Sequence, residues 1–277
     1  TIHIDTDPAQ IGKRYATDIG LAGDADKTLR WLIENVEEHT DHSFLEHHQE
    51  MMKKWEEKLH DQEEDSSIPI KPQRVMHALQ QVAHDDAILS VDVGNVTVWT
   101  ARHFRMTNQQ FVISSWLATL GCGLPGALAG KIAFPDKQVF AVCGDGGFGM
   151  TMNDFVTAVK YKLPIVVVVL NNNKIAMIKF EQEVMGNIEF ETDLTNPDFA
   201  KYAEACGGIG YRVENLDELL PAFQNAVKQN KPCIIDVVVD ANEAPMPAKI
   251  TFGQAAGYTK HMIKELFEEG KIDLPPL

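Results

Sequence analysis

Short apolar runs alternate with longer amphipathic stretches from residue 73 to about residue 240. The apolar runs predict strands at residues 87–91, 139–143, 165–170, around 211 and at 233–239. The amphipathic stretches predict helices at residues 73–83, at 198–206 and at 216–229, and a further helix that follows the strand at 139–143 and runs to residue 160. Almost continuous apolarity is typical of strands that are buried on both faces. The alternation therefore predicts an α/β fold, a doubly wound parallel sheet with right-handed crossovers.

The first 60 residues show a similar pattern that is too short for a complete sheet. Strands are predicted at residues 2–5 and 18–22, and Asp7-Pro8 is typical of a helix start. A helical pattern follows as far as Val36, and a charged helix is predicted at 43–60. This segment is therefore expected to be α/β material from an incomplete sheet.

An acidic stretch with Ser and Pro separates the two patterns, as a linker does. We predict a partial domain at residues 1–60, a linker at 61–72, a main domain at 73–240 and a tail at 241–277. Because Thr1 stands at the start of a predicted strand, we expect the chain to be the C-terminal portion of a longer polypeptide.

Two polar loops follow neighbouring predicted strands of the main domain. Gly144-Asp145-Gly146-Gly147 follows the strand at 139–143, and Asn171-Asn172-Asn173 follows the strand at 165–170. Their spacing of 27 positions leaves room for one helix and one strand, so both loops should meet at the same edge of the sheet. Magnesium prefers oxygen ligands, and the predicted ones are the side chains of Asp145 and Asn172 and the backbone carbonyl of Lys174. The glycines allow the main chain to approach a diphosphate closely.

This pair of loops resembles the fingerprint of thiamine diphosphate enzymes, which runs from Gly-Asp-Gly to an Asn pair over a similar distance. Asp92-Val93-Gly94-Asn95 is similar to the loop that contacts the diphosphate end in that family. The resemblance implies a fold that binds thiamine diphosphate with Mg²⁺. The implied cofactor contacts are Val93, Gly94, Asn95, Gly144, Asp145, Gly146, Gly147 and Asn172.

The stretch from Trp116 to Ala127 is similar to the family segment that holds the aminopyrimidine ring. The resemblance implies that the Ala118 carbonyl and the Leu120 N–H bond that ring. It also implies that the Leu120 side chain supports the folded cofactor and so takes part in catalysis. Taken by itself, the same stretch predicts a buried strand and a Gly-rich turn.

The segment from Ile4 to Lys13, followed by Gly23-Asp24-Ala25, resembles the central domain of the flavin-containing branch. That branch comprises pyruvate oxidases and acetolactate synthases. The resemblance implies that residues 1–60 are part of a Rossmann-like FAD domain. FAD would be a second cofactor, with contacts to its adenosine and ribose from Asp5, Thr6, Asp24 and Ala25. A helix-capping Asp-Pro and an ordinary strand end explain the same residues on local grounds.

Three further segments are most similar to pyruvate oxidase, namely residues 144–154, 161–164 and 178–183. The resemblance implies that Ile178 and Glu181 are catalytic residues in the pocket for substrate and flavin. The implied reaction is the oxidative decarboxylation of pyruvate to acetyl phosphate or acetate, with electrons passing through FAD to oxygen or a quinone. An acetolactate synthase and a non-catalytic cofactor-binding module are the alternatives.

The family's activating Glu belongs to an N-terminal domain of the same fold, which a neighbouring subunit contributes. This sequence does not contain that domain. We therefore expect the chain alone to be inactive and to bind thiamine diphosphate weakly. Because the family's active sites lie between subunits, a homodimer or homotetramer is also expected.

The net charge of −15 and the pI near 5.0 argue against nucleic acid as a partner, because phosphate backbones require clustered Lys and Arg. The longest apolar run, at 165–170, is far shorter than a membrane span. Four scattered cysteines are typical of buried, reduced thiols in a cytoplasmic protein, namely Cys122, Cys143, Cys206 and Cys233.

The tail from Ala244 to Leu277 contains a Pro-rich stretch at 245–250 and a short amphipathic pattern. It resembles the end of quinone-linked pyruvate oxidases, which implies a peripheral contact with the inner face of the membrane. A helix packed on its own subunit is favoured instead, because its acidic residues would repel anionic lipid. The pattern consists of Met262, Ile263, Leu266 and Phe267, and the acidic residues are Glu265, Glu268 and Glu269.

Four histidines border the charged helix predicted at 43–60, namely His39, His42, His47 and His48. Such a group invites interpretation as a metal site. The surrounding charges favour a solvated helix face.

Overall fold

The computed structural model describes residues 1–245 and 251–268. The chain divides into two compact units, Thr1–Trp55 and Glu56–Leu277. Among the described residues, none of the helices combines the length and apolarity that a membrane crossing needs.

The first unit contains a two-stranded parallel sheet and its flanking helix. Strands β1 (Ile2–Asp5) and β2 (Ile19–Ala22) pair in parallel from Ile2 opposite Ile19 to Asp5 opposite Ala22. Helix α1 (Ala25–Asn35) follows, and Asp24 caps it by accepting a hydrogen bond from the Lys27 backbone N–H at 3.0 Å. Both strands predicted in this segment are confirmed.

Helix α2 (Ser43–Glu63) is the charged helix that the sequence predicts, extended by one turn. The first residues of the expected linker are therefore helical. His39, His42, His47 and His48 are all exposed. Within the described part of the chain, no group of three or more His, Cys, Asp or Glu side chains is arranged to hold a metal ion.

The second unit is built on a six-stranded, entirely parallel sheet, which confirms the predicted fold class. The strand order is β4-β3-β5-β6-β8-β7. The bounds are β3 (Ile88–Val91), β4 (Gln110–Val112), β5 (Val139–Gly144), β6 (Val166–Asn171), β7 (Ile209–Val213) and β8 (Cys233–Val238). Strand β4 is absent from the prediction because it has three residues at a sheet edge and only Phe111 packs on the core.

Helices cover both faces of this sheet. The bounds are α3 (Pro72–Val82), α4 (Asn95–His103), α5 (Gly123–Ala133), α6 (Asp145–Thr151), α7 (Phe155–Lys160), α8 (Ala176–Val184), α9 (Phe199–Ala205), α10 (Leu216–Ala226) and α11 (Phe252–Glu268). One core lies between the sheet and α3, α4 and α10, and the other lies under α5, α6, α7 and α9.

Successive side chains of β5 enter opposite cores. Phe140 and Val142 pack in the first core, whereas Ala141 and Cys143 pack in the second. All four are fully buried. This two-sided burial explains why the strand is apolar without alternation.

The prediction of one continuous helix that runs to residue 160 is wrong. Helix α6 ends at Thr151, a 3-10 turn occupies Met152–Asp154, and α7 starts at Phe155. The Tyr202 hydroxyl donates to the Met152 carbonyl at 2.7 Å, which satisfies a backbone group freed by the break. Three glycines within α6 lower its intrinsic helix stability, so the break has a local cause.

The burial of the four cysteines agrees only partly with the prediction. All four are free thiols, and Cys143 and Cys233 are buried as predicted. Cys122 and Cys206 are partly exposed, so the prediction of burial is wrong for these two.

Helix α11 packs on α8, which is the alternative that the sequence favours for the tail. A β-carbon at Gly257 would lie 1.8 Å from the Val184 carbonyl oxygen, so the two helices touch through their backbones. Met262 and Ile263 remain about half exposed. Most of the Pro-rich stretch, at 246–250, and the side chains of Phe267, Glu268 and Glu269 lie outside the described residues.

Truncation of a core side chain of β5 tests this packing. We expect Phe140→Ala to lower the free energy of unfolding by about 3–5 kcal/mol, because the ring is fully buried and leaves a cavity. Phe190→Ala is the matched control, since that ring is 72% exposed and its loss should change stability by less than about 0.5 kcal/mol. Urea denaturation followed by circular dichroism measures both, and equal losses would contradict the described core.

Candidate cofactor and metal site

A cavity of about 200 Å³ opens beyond the carboxyl ends of β3, β5 and β6. The parallel order of these neighbouring strands brings their terminal loops to one edge of the sheet. Most of the residues that the sequence proposes for the main-domain site line this cavity. They are Val93, Gly94, Asn95, Leu120, Gly144, Asp145, Gly146, Gly147, Asn172, Lys174 and Ile178.

Asp145 is the first residue of α6 and is almost fully buried, with 2% of its surface exposed. Its Oδ1 accepts a hydrogen bond from the Gly146 backbone N–H at 3.0 Å. Its Oδ2 accepts from the Asn172 backbone N–H at 3.2 Å. The structure thus brings the carboxylate and the Asn loop together across 27 positions of sequence.

Asn172 and Lys174 form a tight turn at the end of β6. The Asn172 Oδ1 accepts from the Lys174 backbone N–H at 3.1 Å and keeps a second lone pair available for a cation. The Lys174 ammonium is held by Glu189 at 2.7 Å and by Asp193 at 2.6 Å. Two acidic partners therefore occupy this ammonium, and the described residues include no cationic side chain that hydrogen-bonds to Asp145.

Burial raises the pKa of Asp145 to about 6, against a usual value near 3.8, because the charged form is removed from water. Hydrogen bonds from backbone N–H groups and from Asn196 oppose this shift without cancelling it. A divalent cation beside the carboxylate would compensate the buried charge. The donor set of one carboxylate and one amide oxygen matches the preference of Mg²⁺.

Asn196 is a site residue that the sequence analysis missed. Its Nδ2 lies 2.8 Å from Asp145 Oδ2, 3.1 Å from Asn171 Oδ1 and 3.2 Å from Asn173 Oδ1. It lies in the loop between α8 and α9, where the sequence shows no strand end and no motif. No sequence signal could have identified it.

Glycines shape the part of the cavity that would receive a diphosphate. A β-carbon at Gly94 or at Gly144 would meet no atom within 4 Å, so the main chain at both positions faces open space. Gly94 has a φ of 121°, which favours glycine, and it precedes the first residue of α4. The backbone N–H groups at the start of this helix favour an anion. The Oδ1 of Asn95, beside them, is buried and has no protein partner.

Asp92 joins the strand end to the loop that carries Leu120. Its buried Oδ1 accepts from the backbone N–H groups of Val93 and Gly121, each at 2.8 Å. Its Oδ2 is buried without a partner, and burial raises the pKa of this carboxyl. A β-carbon at Gly147 would lie 2.4 Å from that oxygen, so the glycine is required by a close approach.

The loop before α5 is not the buried strand that local apolarity predicts. Trp116 and Leu117 are 89% and 86% exposed, and Ala118 has a positive φ of 48°. Leu120 lines the cavity, whereas Ala118 does not. The local prediction is therefore wrong, because this apolar stretch lies at the surface of the described unit.

Helix α8 forms another wall of the cavity. Ile178 lines it and is 46% exposed. Glu181, nearly one helical turn further on, is exposed and does not line the cavity. The structure thus places one of these two predicted catalytic residues in the cavity wall and the other outside it.

The residues expected to contact FAD belong to the first unit. Asp5 and Thr6 end β1, while Asp24 and Ala25 follow β2, so the parallel pairing brings both pairs to one sheet edge. The Asp5 Oδ1 accepts from the Asp7 backbone N–H at 2.9 Å, and Asp24 caps α1. An ordinary strand end and an ordinary helix cap would make the same two contacts.

The cavity fits a diphosphate and a divalent cation on three independent observations. It contains a buried carboxylate next to an amide oxygen, from Asp145 and Asn172. Glycine backbone at two strand ends faces open space. A buried polar atom in the cavity lining, Asn95 Oδ1, lacks a partner within the described protein.

Comparison with known proteins agrees with this geometry. Residues 92–237 match the family described as thiamine pyrophosphate enzyme, C-terminal TPP binding domain. YdaP of Bacillus subtilis, named for thiamine pyrophosphate, is 51% identical over 277 residues, which are 100% of this chain and 48% of that protein.

Two enzymes are more distant relatives. A pyruvate oxidase of Lactiplantibacillus plantarum is 35% identical over 252 residues, covering 90% of this chain and 42% of the enzyme. The acetolactate synthase isozyme 3 large subunit of Escherichia coli is 32% identical over 261 residues, covering 91% of this chain and 46% of the subunit. The chain spans about half the length of the curated relatives it matches.

The raised pKa of Asp145 predicts that the folded state of the metal-free protein becomes less stable as pH rises. The folded pKa of about 6 exceeds the usual 3.8, so the folded state holds the proton more tightly, and stability falls as pH rises between these values. Replacing Asp145 with Asn removes this titration. We expect the stability of Asp145→Asn relative to wild type to increase by about 2.4 kcal/mol from about pH 4 to about pH 7.

Urea denaturation in the presence of a chelator, repeated across this pH range, measures that difference. Asp85→Asn at an exposed position is the matched control and should change stability by less than about 0.5 kcal/mol. A wild-type minus Asp145→Asn difference that does not change with pH would contradict the burial argument.

Proposed function

The chain belongs to the thiamine pyrophosphate enzyme family, whose C-terminal TPP-binding domain it carries, and we propose that the cavity binds the Mg²⁺-diphosphate end of that cofactor. Asp145, Asn172 and the Lys174 carbonyl would hold the metal ion. The main support for this proposal is the 3.2 Å contact between the Asn172 N–H and Asp145 Oδ2 in a buried, glycine-lined cavity.

The remaining cavity residues have proposed roles in cofactor binding. Val93, Gly94 and Asn95 would receive the diphosphate at the start of α4, where backbone N–H groups favour anions. Leu120 would support the cofactor in its folded form, because its side chain lines the same cavity as the diphosphate loops. The Ala118 carbonyl and Leu120 N–H would hold the aminopyrimidine, and Asp92 supports this loop through its bond to the Gly121 N–H at 2.8 Å.

The bound cofactor would supply a nucleophilic carbon that adds to a 2-oxo acid and takes up the electrons left by decarboxylation. The chain positions that chemistry and keeps water from it. Ile178 and its neighbours on α8 give the cavity an apolar wall, which suits a small substrate such as pyruvate. Glu181 would act at the mouth of the pocket, since it lies outside the lining.

We propose pyruvate oxidase activity for the complete enzyme. Pyruvate would lose carbon dioxide, its two-electron oxidation would reduce FAD, and phosphate or water would carry away the acetyl group. Oxygen or a quinone would then reoxidise the flavin. The 35% identity to a pyruvate oxidase supports this activity. The paired strand ends that carry Asp5, Thr6, Asp24 and Ala25 support a flavin site in the first unit.

Acetolactate synthase is the second candidate, because the Escherichia coli relative is almost as similar, at 32% identity. In that reaction the activated two-carbon unit joins a second 2-oxo acid and FAD is not reduced. A non-catalytic module without a metal site is disfavoured by the buried Asp145, since a domain that does not bind metal gains nothing from the cost of its burial.

The first prediction concerns the metal. We expect thiamine diphosphate binding to depend on Mg²⁺ and Asp145→Ala to weaken the Mg²⁺-dependent binding at least about tenfold, because a ligand of the ion is lost. Isothermal titration calorimetry with and without Mg²⁺ measures this. Asp85→Ala, at an exposed position, is the control and should bind as wild type does. Binding that is indifferent to Mg²⁺ would exclude the proposed site.

The second prediction separates the two reactions. When pyruvate is added without oxygen to the complete enzyme loaded with thiamine diphosphate, Mg²⁺ and FAD, we expect loss of the oxidised flavin absorbance and no acetolactate. Stopped-flow absorbance and a colorimetric acetolactate assay record the two outcomes. Acetolactate formation with the flavin still oxidised would favour the synthase instead.

A further inference from the structure

The amide of Asn196 faces three side-chain oxygens from two strand ends. Asp145 Oδ2, at 2.8 Å, belongs to the segment after β5, whereas Asn171 Oδ1 and Asn173 Oδ1, at 3.1 and 3.2 Å, lie at and after the end of β6. All three are hydrogen-bond acceptors in this arrangement, so the position requires a donor. The amide NH₂ group of Asn196 supplies two hydrogens from one nitrogen atom, and it can thereby link the oxygens of the two strand ends.

A second contact network fixes the segment that carries Asn196. Asp236 on β8 is fully buried, and its Oδ2 accepts from the Phe199 backbone N–H at 3.1 Å, three residues after Asn196. Its Oδ1 accepts from Asn171 Nδ2 at 2.9 Å. One buried carboxylate therefore holds both the Asn196 segment and one of its acceptors.

The network continues to the protein surface through Arg212. Its guanidinium is partly exposed and donates to Asp236 Oδ2 at 2.5 Å. The buried charge of Asp236 is thus neutralised by an ion pair, unlike that of Asp145. A continuous chain of side-chain hydrogen bonds runs from Arg212 through Asp236, Asn171 and Asn196 to Asp145.

We propose that Asn196 is a positioning residue for the metal site, an inference that rests on the proposed function of Asp145 and Asn172. It fixes the Asp145 carboxylate against the end of β6 without itself contributing an oxygen to the cation. It also restrains Asn173, whose φ of 55° is a left-handed conformation that ordinary residues rarely adopt. Both proposed side-chain ligands are thereby oriented before the ion binds.

This role predicts a specific defect. Without the Asn196 amide, Asp145 and the β6 end lose their common tether, so Mg²⁺ must order them on binding. We expect Asn196→Ala to raise the Mg²⁺ concentration for half-maximal thiamine diphosphate binding by about tenfold to a hundredfold. Saturating Mg²⁺ should restore the affinity for thiamine diphosphate to within about threefold of wild type, which general disruption of the domain would not allow.

The experiment titrates Mg²⁺ at fixed thiamine diphosphate by calorimetry and records the thermal midpoint of the metal-free protein. Asn196→Ser is a second, milder variant in case Asn196→Ala does not fold, and it should show the same defect because its hydroxyl reaches less far. Asn225→Ala, on the exposed face of α10, is the matched control and should titrate as wild type does.

The outcomes distinguish this inference from the proposed function. If wild type binds thiamine diphosphate with Mg²⁺ dependence and both Asn196 variants titrate like wild type, the positioning role is wrong and the metal site stands. A defect that saturating Mg²⁺ does not rescue, with a lowered thermal midpoint, also overturns the role. Wild type without Mg²⁺ dependence would instead remove the proposed function itself.

Discussion

The buried carboxylate of Asp145 is the constraint on which the rest of the site depends. It lies at the end of a fully apolar strand, where only neutral N–H donors reach it, and its raised pKa records the cost of that position. A domain selected for stability alone would pair such a charge, as it pairs Asp236 with Arg212. The lack of a protein cation beside Asp145 among the described residues is consistent with the proposed metal site.

The cavity exists because glycines let helices approach the side chains at two strand ends more closely than any other residue would allow. Gly147 lies against the buried carboxylate of Asp92, and Gly123 lies so close to Cys143 that a β-carbon would be 2.5 Å from its sulfur. These contacts draw α5 and α6 towards the ends of β3 and β5. The loop that carries Leu120 is thereby held beside the diphosphate loops, although most of its own side chains face solvent.

Buried strands and strand-end motifs could be predicted from sequence, because two-sided burial produces continuous apolar runs and ligands follow the carboxyl ends of strands. Asp145 and Asn172 were found in this way. Asn196 could not be, since its role depends on a tertiary approach of a loop without a motif. The break after Thr151 was missed because amphipathic periodicity continues through it. The exposure of Trp116 was missed because apolar residues at a surface look the same as core residues in a sequence.

The backbone contact between Gly257 and Val184 has a consequence for how the outer wall of the cavity is built. Helix spacing is usually set by interlocking side chains, which can be exchanged for others of similar volume. Here the gap between α8 and α11 is fixed by main-chain atoms, so no exchange of rotamers can absorb a change at that crossing. Even an added methyl group would have to displace a whole helix, and the face that bears Ile178 would shift with it. Gly257, which has no side chain, thus sets the position of a cavity wall from the side of α8 that packs against α11.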